Sequence, residues 1–191
     1  MNRPAVPRPL TEAEVIEAEA ELGVTFPSEY RHYLLQVSSG GAVEQLEKTE
    51  NGWWWAGNST KRRDLLPLPF PHPDTYEDAD DEFYRRLPRA EDYADEDAFS
   101  ESMNGWNTEY WDFNERKTAG SFVAKEHGCG FATLLVITGP FAGTLWWDGR
   151  ATSDLIIPLS LDHAGGARPV TFGEWLGRDS WDLLPPGWGR A

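Results

Sequence analysis

The 191 residues carry 32 carboxylates against 17 lysines and arginines, so the first chemistry to weigh is that of paired acids. Glu109, Asp112 and Asp148 lie close in sequence to Trp106, Trp111, Trp146 and Trp147, the company a glycan-cleaving pair keeps in its cleft. Such a pair needs two carboxyls at a set separation with their proton affinities pushed apart, and chain spacing specifies neither. Metal chemistry has thinner support. His127 and Cys129 are two apart, His32, His72 and His163 are scattered, and a single cysteine falls short of the usual zinc sets. Cys129, between two glycines, reads as a small buried side chain rather than an activated thiol. The glycines at 128 and 130, or at 165 and 166, lack the lysine that completes a phosphate-cradling loop. The expectation is therefore a non-enzyme, with no catalytic residue, no metal and no cofactor.

The residue types that suit binding are concentrated. Residues 74–101 hold 12 carboxylates and three arginines, which places −9 of the chain's −15 net charge in one stretch. Charge runs are usually solvated faces. Here Tyr76, Phe83, Tyr84, Leu87, Tyr93 and Phe99 interrupt the acids, and aromatics set among polar residues are how interface anchors are composed. The candidate partner-binding residues are Asp78, Asp80, Asp81, Glu82, Phe83 and Tyr84, then Asp92, Tyr93, Asp95, Glu96 and Asp97, together with Trp54. A chain this acidic is repelled by nucleic acid and by anionic membranes, so the expected partner is a basic protein. One cysteine precludes an internal disulfide, and neither a signal-like apolar run nor eighteen consecutive apolar residues occur, so the expected location is the cytoplasm.

These residues need elements to position them. Residues 10–41 read as two helices joined by a tight turn. Thr11 and Glu14 have capping-box spacing, with Leu10 and Val15 placed for a hydrophobic staple. Val15, Ile16, Glu19 and Leu22 follow at helical spacing, and Gly23 suits the left-handed residue that closes a helix. Pro27 opens a second helix whose Tyr30, Tyr33, Leu34 and Val37 share a face, before Ser38, Ser39, Gly40 and Gly41 stop it. Trp53, Trp54 and Trp55, between Gly52 and Gly57, read as a strand with Trp53 and Trp55 facing the core; Trp54, on the other face, either packs or meets a partner or a sugar ring. Four prolines in 65–73 make a stiff connector, and a helix is expected around 78–86. Residues 106–113 and 122–125 are expected as strands and 131–138 as the central strand. A glycine-bounded loop at 139–143 leads to its antiparallel return at 144–148, and 155–159, with Pro158, suits an edge. Thr171 and Glu174 repeat the capping box ahead of a C-terminal helix burying Phe172, Trp175 and Leu176. The predicted class is α+β, a mainly antiparallel sheet packed against an N-terminal helical hairpin and a C-terminal helix. It forms one domain over 1–191 with an acidic insertion at 58–119, behind an extended, proline-bearing lead-in at 1–9.

The acidic first helix running into Glu19 and Leu22-Gly23, then Phe26-Pro27, Tyr30 and the Gly40-Gly41 exit, resembles the opening of the SUKH superfamily. The second half is similar to it as well: a glycine-flanked apolar strand, Gly139-Pro140 and Gly143 in the turn, Leu145-Trp146 in the return strand, and a final Phe172 with Glu174-Trp175-Leu176. Ser39 departs from the Asn that members often carry before the exit glycines. The resemblance covers 10–57 and 120–184 and leaves the acidic segment as an insertion. That superfamily contains bacterial immunity proteins for polymorphic toxins and a fungal regulator of cell-wall synthesis. The resemblance implies a stoichiometric binder, an immunity protein that neutralises a cognate toxin by covering its active or substrate-binding surface. Charge points the same way, since toxins that act on nucleic acid present basic clefts that an acidic inhibitor fills and is steered towards. A second reading is an intracellular scaffold or regulator with no toxin partner, and a third is a carboxylate-dependent glycan hydrolase.

Overall fold

The computed structural model describes residues 6–58 and 62–188. Residues 1–5 of the expected lead-in, 59–61 of the expected insertion, and 189–191 lie outside them. Two compact units emerge: residues up to Phe70 together with those from Gly120 onward form the first, and Pro71–Ala119 the second.

The first unit starts as the capping signals require. Helix α1 spans Glu12–Leu22, with Thr11 Oγ1 accepting from the Glu14 N–H at 3.3 Å and Glu14 Oε2 accepting from the Thr11 N–H at 2.7 Å. Gly23 closes it at φ 69°. The buried stripe is Val15, Ala18 and Leu22, so Ile16, expected on it, faces solvent instead. Glu19 Oε1 accepts from the Phe26 N–H at 2.8 Å and so pins the turn into α2, Ser28–Gln36. Helix α2 buries Tyr30, Tyr33 and Leu34. Val37, expected on the same face, is exposed, at the C-cap just beyond the last residue of the helix. Strands β1 (Leu46–Thr49) and β2 (Gly52–Trp55) form an antiparallel pair, with Trp53 and Trp55 buried and Trp54 half-buried on the opposite face. Gly52 sits at φ 88° where a Cβ would fall 1.8 Å from Glu21 Oε1, the atom that accepts from the Trp53 N–H.

The second unit contains α3 (Glu77–Arg85) and α4 (Glu96–Arg116). Residues 106–113, expected as a strand, lie inside α4. The rings of Trp106, Tyr110 and Phe113, spaced i, i+4 and i+7, form the helix's inner face, and this period outweighs the strand preference of aromatic residues.

The first unit resumes with β3 (Ser121–Gly128), β4 (Phe131–Val136), β5 (Leu145–Asp148) and β6 (Ile156–Pro158), an antiparallel sheet in the order β3-β4-β5-β6. Pro158 lies on the edge strand, as its missing N–H requires. Both faces of the sheet are covered. One packs on the helices and β2, where Trp55 stacks on Phe122 at 4.1 Å and donates its indole N–H to the Tyr30 hydroxyl at 2.7 Å. Burial pushes the Tyr30 hydroxyl pKa well above the ordinary tyrosine range. The other face buries Val123, Leu134, Val136, Trp146 and Ile156 beneath Phe70. Two covered faces explain why β4 is apolar at every position but Thr133 rather than alternating. The proline-rich connector supplies Phe70 and also buries Leu65 and Leu66. Its backbone passes so close to Gly120 that a Cβ there would meet Leu68 O at 2.4 Å.

Helix α5 is a single turn, Phe172–Trp175, with the second capping box formed. Leu176, expected in its buried face, is exposed because its ψ of 124° takes it out of the helix.

Candidate functional site

The expected partner-binding residues fall mostly on the second unit, where burial is sparse. No residue from 71 to 116 is buried, and Lys117, Thr118 and Ala119 follow as the buried end. Stacked rings take the place of a core. Phe83 stacks on Phe113 at 4.7 Å, Trp106 on Tyr110 at 4.9 Å, and the Trp106 indole N–H donates to Phe83 O at 3.0 Å. Lys117, 3% exposed, lies over the rings of Tyr76 and Phe113 and pairs with Asp80. Arg86 lies 4.6 Å over Phe83 and reaches Glu109 at 3.3 Å.

This arrangement divides the candidates by what their atoms already do. Asp78, Asp81, Asp92, Glu96 and Asp97 are exposed carboxylates. Asp80 is engaged by Lys117, Glu82 by Arg85 and Arg86, and Asp95 caps α4 by accepting from the Ala98 N–H at 2.9 Å. Phe83 faces α4, and the Tyr93 hydroxyl is 2.5 Å from Ser102 Oγ. Tyr84 is 48% exposed, its hydroxyl 3.2 Å from that of Tyr110. Trp54 belongs to the first unit. Its indole N–H donates to Asn58 O at 2.8 Å, Arg63 lies 4.8 Å over its ring, and both border a cavity of about 400 Å³ with Glu47, Thr49 and Asn51.

The carboxylates weighed for hydrolysis are each held by an arginine. Glu109 meets Arg86 at 3.3 Å and Asp112 meets Arg116 at 2.8 Å, both on α4, while Asp148, on β5, takes two bonds from Arg150 at 2.8 and 2.7 Å. Among the described residues no three His, Cys, Asp or Glu side chains are placed to hold a metal ion. The His127 ring lies 4.8 Å from that of Trp147, with Nε2 at 2.8 Å from Thr133 Oγ1. Cys129, expected to be buried, is exposed: it occupies the tip between β3 and β4 at φ 52°, away from any packed layer.

With this geometry in place, the family model of the SMI1 / KNR4 family (SUKH-1) matches residues 9–127. The chain belongs to that family. The family includes toxin-immunity proteins. No curated protein and no solved structure matches the chain. The bounds of the SUKH-1 match, 9–127, enclose the second unit, whereas the motifs legible in the sequence lie on either side of it.

In this SUKH-1 chain the sequence reading overlooked Trp111, 62% exposed on α4, and Lys117, the buried cation of the second unit. Trp111 was legible had 106–113 been read at helical period, since it falls outside the face set by Trp106, Tyr110 and Phe113. Lys117 gave no signal, because its partner Asp80 is 37 residues away. Among the described residues no helix is long and apolar enough to cross a membrane.

Proposed function

We propose that this chain is a cytoplasmic immunity protein, acting without catalysis, that binds a cognate basic, nucleic-acid-targeting toxin and occludes its active or substrate-binding surface. The observation that carries the reading is the concentration of exposed carboxylates on the second unit of a SUKH-1 chain. We read that unit as the main part of an insertion, residues 58–119, in a single domain. Carboxylates at the rim of an interface accelerate encounter with a basic surface and are screened over a Debye length of about 8–10 Å near physiological salt. The same charge disfavours nucleic acid and anionic membranes as partners.

The test is a search for a toxin gene beside this one and rescue of growth in cells expressing that toxin, followed by stopped-flow association with it at two salt concentrations. Neutralising Asp78, Asp81, Asp92 and Asp97 to Asn should slow association about tenfold and flatten its salt dependence, with the melting temperature little changed. Asp80 is left intact because its carboxylate holds Lys117. An unchanged on-rate would return these acids to ordinary solvated charge. Failure to rescue growth, with no complex formed, would overturn the immunity reading.

A further inference from the structure

The chain repeatedly holds a cation between an aromatic face and a carboxylate. Arg86 lies over Phe83 with Glu109 at 3.3 Å, Lys117 over Tyr76 and Phe113 with Asp80, and Arg63 over Trp54 with Glu21 at 3.6 Å. The same pair of groups occurs once more, with its ring exposed and its carboxylate residue half-buried. Trp111 is 62% exposed, and Glu115 follows it by four residues on α4, which puts the carboxylate on the same side of the helix one turn on. Among the described residues, no cation of the chain lies over Trp111, and its ring meets only that of Tyr110, at 6.5 Å. Tyr110 stacks on Trp106 and lies 6.0 Å from Tyr84, so an aromatic ridge leads from Tyr84 through Tyr110 to the exposed Trp111. Tryptophan and tyrosine have only two side-chain torsions to order on binding, the property that makes them effective anchors.

We propose that this ridge is a docking site for an arginine-bearing segment of a basic protein, with a guanidinium stacked on Trp111 and directed to Glu115. Charge complementarity selects the occupant: the ridge belongs to the second unit, whose residues 71–119 carry 15 carboxylates against five lysines and arginines. The chemistry favours arginine over lysine, because a planar, weakly hydrated guanidinium stacks on a ring while still offering N–H donors to a carboxylate. The proposal rests on the preceding reading that the partner is basic, and it adds the side chain that partner must present.

Fluorescence anisotropy of labelled nona-arginine and nona-lysine, titrated with the full chain across several salt concentrations, separates the two claims. Trp111→Ala should weaken nona-arginine binding about tenfold with an unchanged salt slope, Trp111→Phe should keep part of the affinity, and nona-lysine should lose less. Glu115→Gln should lower the salt slope instead. The ridge is excluded, and the basic-partner reading kept, if Trp111→Ala and Trp111→Phe bind as wild type while Asp78→Asn with Asp81→Asn weakens binding. Absence of nona-arginine binding by the wild-type chain overturns both. An unaltered melting temperature and far-UV spectrum in Trp111→Ala separates loss of contact from loss of fold.

Discussion

The two units are both rich in aromatic residues and use them in opposite ways. In the first, Trp55, Trp146 and Trp147 are at most 1% exposed and belong to layers on the two faces of the four-stranded sheet. In the second, rings stack between two helices with no buried side chain from 71 to 116, and the buried charge of Lys117, paired with Asp80, takes up a position that an aliphatic residue would occupy in a core. Aromatic content alone therefore does not say whether a segment has a core. Non-directional burial is worth roughly 25 cal/mol per Å² and tolerates salt, whereas stacked rings and ion pairs are individually weaker and partly screened. The first unit is built to be stable, and the second to offer its groups to solvent.

The sharpest way to break this contrast is a cavity in the first unit. Leu135, fully buried on β4 opposite Phe122 and Leu145, should cost about 2–5 kcal/mol on replacement by alanine, read as a fall in the denaturation midpoint at constant m-value. A loss well under 1 kcal/mol would mean that the double-sided sheet is not the seat of stability. Next in size is Lys117→Met. It leaves the Asp80 carboxylate without its cation, so amide protection across Glu77–Arg85 should drop by about 1–3 kcal/mol in exchange measurements while β4 and β5 keep theirs. Equal losses in both units would merge them into one cooperative block.

The smallest effect sharpens the contrast from the side of pH. Hydrogen bonds from Arg8 and then from the Thr11 N–H hold the Glu14 carboxyl down at about 2, and Arg168 lowers Glu174 in the same way. A carboxylate with a depressed folded pKa contributes stability above its unfolded value, near 4.3, and loses that contribution as pH falls towards the folded one. Glu14→Gln should therefore lower the melting temperature by about 1–2 °C at neutral pH and narrow its gap to wild type between about pH 4.5 and 2. Calorimetry across that range checks it, and a gap that widens with acid would reverse the assigned sign.

Much of the first unit was legible because its signals are local. Capping at Thr11 and Thr171, the left-handed Gly23 and the inward Trp53 and Trp55 each depend on neighbours within about four residues. The two caps even share a longer pattern, Arg-Pro-x-Thr-x-x-Glu at 8–14 and 168–174, in which the arginine clamps the capping glutamate. In the candidate site the acidic concentration and Tyr84 were visible in the chain, while Trp111 was hidden by reading an aromatic run as strand. Tertiary structure alone decided that the proline-rich connector lines the sheet through Phe70, that Cys129 stands in solvent and that Asp80 holds Lys117. Each of these is settled by a partner tens of residues away or by the absence of a packed neighbour. Side-chain chemistry sets which contacts a residue can make, and the fold sets which of those partners come within reach.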